Sequence, residues 1–554
     1  MTNAHIIDGL REISWLLSLR EEDFFRSRAY RKAADALAKY EGDLAQLIDA
    51  GQAADLPGVG RKTATVVGEL HQTGRSQLLS DLRRRFPREV GRLARIPGLG
   101  LGRLQTLHRE LGIETADDLQ KAIEADALAK VKGFGPAIIG RVKKALADVA
   151  RAEHRLLLPH ARTLASAVVE RWTPMLGALS ISGEVRRRLP AVESIDIVGQ
   201  SEQDLPDLPG LADDCTPVRI DTPHAWLRGW AVRLQEGLPA RLWLATPGHH
   251  GGALLATTGP DAYADLMLAR ATVFDDEDAL TRSAGFMPWP PEVRDLFGAE
   301  ETPPMLITQA DLQGVVHVHT TDSDGRDDLP TLARAAQAMG YGYLTVTDHS
   351  PSARYANGVS LADLEKQAEQ IRRVQTEVGI RLLCGTESDI QPAGGLDHPE
   401  AVVAALDVVI ASIHGRFRLD VTAMTDRLLA TFSLPTRLIW GHPLGRLVLS
   451  RPPIEADLDR VFDRIAERGH IIEINGDPHR MDLPPYWIRE AKKRGIAMVL
   501  SADAHSVRGL EMMSTAVDCA RAGGLVPSDV LNTLDADAFA AAVKPERSAP
   551  PLGR

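Results

Sequence analysis

The amino-acid sequence predicts a multidomain chain: a helical N-terminal region, a central α+β part and a C-terminal α/β barrel. Three observations predict it. At 554 residues the chain is too long for one ordinary domain. A Gly-x-Gly turn between helical patterns recurs three times early on, at Gly58-Val59-Gly60, Gly98-Leu99-Gly100 and Gly133-Phe134-Gly135. From Val315 onward, seven short apolar runs alternate with helical stretches, as in a parallel sheet closed into a barrel.

Composition sets the limits. Hydrophobic content of 44% with 25% charged residues describes a water-exposed globular chain, and no apolar run is long enough to span a bilayer. The opening MTNAHIIDGLREISWLL reads as an amphipathic helix with Ile6, Leu10, Ile13 and Leu17 on one face, and not as a basic-then-apolar leader. A cytoplasmic monomer without a membrane partner is the expectation. Cys215, Cys384 and Cys519 are too few and too scattered for a disulfide framework or a thiolate zinc site. The net charge of -11 argues against indiscriminate coating of nucleic acid, while leaving room for local basic surfaces.

The first 150 residues hold such surfaces. Asp23 to Leu37 sets Arg26, Arg28, Arg31 and Lys32 around Phe24, Phe25 and Tyr30, which by itself describes a solvated helix face. The three glycine turns change its weight, because each resembles a helix-hairpin-helix element. Two glycines permit a tight turn, and the backbone N–H groups opening the next helix can receive a phosphate. Gly58, Gly60, Gly98, Gly100, Gly133 and Gly135 are therefore candidate DNA-backbone contacts, with Lys62 and the neighbouring Arg61, Arg103, Arg141, Lys143 and Lys144. Contacts of this kind carry no base specificity. Residues 1–90 and 91–150 are the expected limits of two such regions.

Residues 151–300 resemble the palm and thumb of X-family DNA polymerases. The stretch SGEVRRRLPAVESIDIVG supplies Gly183 and the basic pair Arg186-Arg187, assigned to DNA, but Glu184 stands where the family has serine. The family's Asp-x-Asp becomes Ser194-Ile195-Asp196, and the third carboxylate is placed at Arg219 in Val218-Arg219-Ile220-Asp221. A cation there would repel the metals that the palm uses, which leaves Asp221 or Glu193 as replacement acids. Thr258-Gly259 in LLATTGPDAYADLMLARA matches the nucleotide pocket. The family's lyase lysine falls on Val66, so lyase activity is not expected. The Pro-rich stretch Phe286 to Pro304 reads as a non-helical connector, with a linker at 301–312.

The barrel begins at 313 and runs to 554. Val315 to His319 alternates as a strand, so His317 and His319 share a face, and the run Leu344 to Val346 ends in Asp348-His349. Asp324 follows in a loop. Later runs end at Glu387, His414, His442 and Asp503-Ala504-His505, and the run Ile471 to Ile474, ending in Asn475, is the exception. Each residue alone has a structural reading as a cap, a turn residue or a solvated acid. Nine of them at successive strand ends describe a metal centre.

HVHTTDSDG, GTESDI, SIHG and SADAH, with TDHS and GHP, resemble the motifs of the PHP family, a distorted (β/α)7 barrel. That resemblance implies that His317, His319, Glu387 and Asp503 hold one ion and carry the catalytic role. Glu387 would bridge to a second ion on His414 and His442, and Asp324, His349 and His505 would hold a third. Two or three divalent ions, Mn²⁺, Zn²⁺ or Fe²⁺, suit such mixed ligands. Arg416, His479 and Arg480 are candidate phosphate clamps.

Over its length the chain resembles bacterial X-family polymerases that end in a PHP domain. The expected function is metal-dependent hydrolysis of DNA phosphoesters at 3′ ends in repair, on gapped, nicked or 3′-ended DNA, with templated synthesis weak or lost. A gap-filling polymerase with a PHP nuclease and a non-catalytic DNA-binding scaffold with structural metals are the alternatives.

Overall fold

The computed structural model describes residues 3–18, 24–38, 47–48, 50–56, 58–73, 76–85, 99, 101–113, 115–152, 155–203, 207–212, 215–235, 238–298 and 302–544. The chain divides into two compact units, Met1–Glu153 and His154–Arg554. The first boundary lies next to the expected one at 150, whereas the palm, the linker and the barrel form a single unit. No helix among the described residues is long and apolar enough to cross a membrane.

The N-terminal unit is helical. Helix α1 (Asn3–Ser18) buries Ile6, Leu10, Ile13 and Leu17, the stripe that the sequence periodicity predicts. Helix α2 (Phe24–Ala38) turns Tyr30, Ala33, Ala34 and Leu37 inward and leaves Arg26, Arg28, Arg31 and Lys32 exposed; the side chains of Phe24 and Phe25 lie outside the described residues. The first and third glycine turns are built alike. Gly58 and Gly133 adopt φ of 97° and 95°, a region that costs other L-residues about 1–2 kcal/mol. The following Val59 and Phe134 are buried, and their N–H groups donate to Leu56 and Val131 carbonyls. Helices α3 (Arg61–Thr73) and α4 (Pro136–Ala152) start directly after Gly60 and Gly135. In the second turn Leu99 is buried in the same way, while Gly98 and Gly100 lie outside the described residues.

The second unit opens with a five-stranded sheet. Its strands are β1 (Ser180–Ser182), β2 (Ile195–Gln200), β3 (Val218–Ile220), β4 (Leu227–Arg233) and β5 (Pro239–Ala245), in the spatial order β1-β2-β5-β4-β3. Strands β2 and β5 are parallel and the other pairs antiparallel. The Pro-rich connector is not free of helix. Pro291–Leu296 forms a 3₁₀ turn that buries Glu292 beneath Arg188 and Arg521. The linker also packs: Leu306 and Ile307 are buried, and Ile307 N–H donates to the Leu525 carbonyl. These contacts explain why palm and barrel are one unit.

Seven strands from Gly314 onward close into a parallel barrel: β6 (Gly314–Val318), β7 (Tyr343–Val346), β8 (Arg381–Asp389), β9 (Val408–Ser412), β10 (Ile439–Trp440), β11 (Ile471–Asn475) and β12 (Met498–Ala504), with β12 paired to β6. Val316, Tyr343, Leu383, Val408, Ile471 and Val499 gather in one apolar cluster with Phe539 and Val543 of the last helix, Ala536–Val543. The other strand faces pack against the surrounding helices. One end of the strands is thus filled with hydrocarbon, and polar residues collect at the other.

Candidate metal centre

Strand β6 does not alternate regularly, as its sequence suggested. Its pairing shifts register between Val315 and Val318, and His317 takes a left-handed φ of 66°. On β12 the register shifts between Ser501 and Ala504, and Asp503 has φ of 48°. Such bulges re-aim side chains, and their cost is sustained only where surrounding contacts hold them. Here Thr345 and Thr347 hydroxyls accept the N–H groups of His317 and Val318. The two histidine rings lie 5.1 Å apart and both are fully buried.

All nine predicted residues meet at the C-terminal rim of the barrel. Glu387 is at the middle. One of its oxygens lies 3.4, 3.3 and 2.9 Å from His317 Nε2, His414 Nε2 and His442 Nε2, and the other 2.8 Å from His349 Nδ1 and 3.7 Å from His319 Nε2. Three ligand groups can be drawn: His317, His319 and Asp503; His349, Glu387 and His414; and His319, Asp324, His349 and His505. The first and third agree with the expected sets, with Glu387 beside the first and His319 added to the third. His349 joins Glu387 and His414 in the second, where His442 was expected; His442 still reaches Glu387.

The donor set fits divalent cations. His317 Nε2, both ring nitrogens of His319, His349 Nδ1, Glu387 Oε2 and His442 Nδ1 are buried without a hydrogen-bond partner. So many orphaned imidazole and carboxylate atoms at one point are what a bound ion satisfies. The electrostatics agree. Burial and the neighbouring His505 push the His319 imidazole down to about 3, the neutral form that a metal needs. Burial also opposes charge on Glu387 and Asp503, but the surrounding histidines outweigh it and hold both carboxyls well below their usual range. The same contest, won by Glu387 and Asp389, pushes His414 up to about 10.

Several residues at the site escaped the sequence reading. Glu473, on β11, is completely buried; its Oε1 lies 2.5 Å from His317 Nδ1, and its Oε2 accepts from the His442 N–H and from Asn475 Nδ2. Asn475 also donates to Asp503, so the run that seemed to lack a ligand supports three of them. The signal was present as a lone acid at an inward position of IIEIN. Asp389 likewise accepts from His414 Nδ1. Asp348 does not join the ligands, because its carboxylate takes hydrogen bonds from Thr320, Ser323 and Gln367. Arg480 points Nε at Asp503, 3.4 Å away, whereas Arg416 and His479 are exposed on the flanking loops.

The palm is different in kind. The strand beside β2 is β5, and Arg241 is paired with Asp196. Arg219 lies on the edge strand β3, two strands further out, over the Trp230 ring. The cation that faces Asp196 is thus Arg241 and not Arg219; pairing between distant strands cannot be read from spacing. Arg241 Nε is 3.0 Å from Asp196 Oδ1, which also accepts from Trp243 Nε1, and Ser194 Oγ donates to Oδ2. Asp221 follows β3 and does not reach, and Glu193 is paired with Arg155. Of the two assigned arginines, Arg186 is held by Glu277 and Thr258, and Arg187 lines a pocket with Glu184, Asp196, Arg241 and Thr258. In the N-terminal unit Gly58, Gly60, Gly133, Gly135, Arg61, Lys62, Arg141 and Lys143 are exposed, Arg103 is half-buried, and the Lys144 side chain is outside the described residues. Val66 is buried in the helical core.

Models of known families match at three places: a helix-hairpin-helix domain over residues 1–76, a SAM-like helix-hairpin-helix tandem over 90–148 and a PHP domain over 316–476. Fold and site agree with these matches: helical domains are followed by a closed parallel barrel whose rim gathers side chains that could hold metal ions. More particularly, the chain is similar over nearly its whole length to the DNA polymerase/3'-5' exonuclease PolX of Bacillus subtilis. It is 28% identical to that protein over 571 aligned positions, which cover 97% of this chain and 99% of the relative. The barrel half alone is similar to a probable phosphatase of Caldanaerobacter subterraneus, with 29% identity over 31% of this chain and 68% of that protein. A probable phosphatase of Thermoanaerobacter is 27% identical over 39% of this chain and 89% of its own length.

Proposed function

We propose that the chain hydrolyses DNA phosphodiesters from 3′ ends at the barrel rim, in the manner of a repair exonuclease, and that its palm positions DNA without extending it. The observation that carries this reading is the contrast between two sites. At the rim nine candidate ligands converge, several with orphaned atoms, whereas in the palm Asp196 is already paired with Arg241.

His317, His319 and Asp503 would hold one ion, Glu387 with His414, His442 or His349 a second, and Asp324, His349 and His505 a third; Mn²⁺, Zn²⁺ and Fe²⁺ suit the ligands. Bound ions would supply Lewis acidity, neutralising phosphoryl oxygens and making water a nucleophile near neutral pH. The chain's own part is to orient. Glu473, Asp389 and Asn475 fix the rings and carboxylates, and Arg480 offers a guanidinium beside Asp503 for a phosphate oxygen. Water adds to phosphorus, the bond to the penultimate 3′-oxygen breaks, that oxygen takes up a proton, and the terminal nucleotide leaves as its 5′-monophosphate.

The exposed glycine turns, with Lys62, would grip the DNA backbone without base specificity. The likeness of the barrel to probable phosphatases favours a second reading, removal of a terminal 3′-phosphate. Digestion of DNA bearing 3′-hydroxyl or 3′-phosphate ends, with Mn²⁺ or with a chelator, tests both readings. Mononucleotides identify the exonuclease and inorganic phosphate the end-cleaning enzyme. Hydrolysis that persists with chelator, or in the His317→Ala/Asp503→Ala variant, would falsify both.

A further inference from the structure

Tyr355 stands at the mouth of the metal centre and has no part in holding it. It is 69% exposed, an unusual state for an aromatic ring beside so many charges. Its ring centroid lies 5.9 Å from that of His349 and 6.0 Å from that of His414, both edge-on.

The turn that carries it is pinned. Residues Arg354–Ala356 form a single 3₁₀ turn between buried Ala353 and Ala356. Ala353 N–H donates to the Ser350 carbonyl, and Val359 N–H to the His349 carbonyl, so the turn is tied to a ligand-bearing segment. Ser352 is anchored through its N–H to Asp397 and through its hydroxyl to Asp389, the carboxylate that orients His414. The backbone that carries the ring is therefore anchored beside the ligands, while the ring itself is largely open to solvent.

We infer that Tyr355 is the stacking platform for the base of the 3′-terminal nucleotide, which sets the enzyme's preference for ends carrying an unpaired, base-bearing nucleotide. The inference rests on the nuclease reading given above. A nucleotide whose phosphate sits among the rim cations has its sugar and base just beyond them, and a flat, preorganised apolar surface is what the base requires. Every base presents a π-face, so the platform selects for the presence of a base and not for its identity. Duplex ends must first give up the terminal pair, because a paired base is already covered.

Steady-state kinetics of the full chain with Mn²⁺ test this. The substrates are oligonucleotides ending in a normal nucleotide or in a base-free tetrahydrofuran residue. The wild-type chain should show a KM about ten-fold lower for the base-bearing end, the size of one base–aromatic stack. Tyr355→Ala should raise KM for that end to the base-free level and leave kcat in place, whereas Tyr355→Phe and Tyr355→Trp should behave as wild type. Equal KM for the two ends in the wild-type chain overturns the platform. So does a loss of kcat in Tyr355→Ala on both substrates, or in Tyr355→Phe, which would assign the work to the hydroxyl. If the wild-type chain cleaves neither substrate, the nuclease reading fails and takes the platform with it, an outcome distinct from equal cleavage of both.

Discussion

Glu473 shows how much of the metal centre is decided behind the ligands. One of its oxygens faces His317 Nδ1, leaving Nε2 directed at Glu387 and Asp503, and the other holds the backbone of His442. A carboxylate that orients a ligating imidazole is worth about 10–100-fold in metal affinity. Glu473→Gln should therefore lower the metal retained after dialysis, measured by elemental analysis, while the chain still unfolds cooperatively. The rim positions were legible because they cluster at or just after the ends of apolar runs, with Asp324 in the loop that follows the first run. Glu473 was not, since it lies inside a run, and Tyr355 carries no motif at all. Arg241 was misread as Arg219 for another reason: which residue faces Asp196 depends on a pairing across distant strands.

Elements show the same division between local and nonlocal information. The glycine turns were legible because φ near 95° is a local demand that only glycine meets cheaply, and both described turns meet it in the same way. The bulges that carry His317 and Asp503 were not, because alternation in sequence looks the same with or without a register shift. Nor was the clamp between the short helix Glu277–Ser283 and the palm. There Glu277, nearly buried, accepts from both terminal nitrogens of Arg186 and lies 3.0 Å from Arg294 Nη2. Burial alone would raise the Glu277 pKa, but its two arginines outweigh this and depress it below the ordinary 4.5. A depressed acid adds stability that is present above its unfolded value and lost as pH falls through the folded one. Glu277→Gln should cost about 3–5 kcal/mol at neutral pH, the usual penalty for stripping one partner from a buried pair. In melts across pH, the gap between variant and wild type should close below 4.5.

For the whole molecule, the second unit joins a retained fold to a complete site. Palm and barrel share one core, and Asp518 of the barrel pairs with both Arg162 and Arg188 of the palm. The palm thus has a structural purpose in holding the barrel, whatever its own pocket does. The order of regions was legible in the sequence, because each has its own periodicity. Their fusion into one unit was not, since it depends on part-buried pairs more than 300 residues apart. The central claim is that the barrel rim, and not the palm, is the working active site. It is tested most directly by incubating the chain with Mn²⁺, all four deoxynucleoside triphosphates and a 5′-labelled primer annealed to a longer template. The account predicts a primer that shortens with the wild-type chain and keeps its length with His317→Ala/Asp503→Ala. Efficient templated lengthening by the wild-type chain, lost when Asp196 is replaced by alanine, would contradict it.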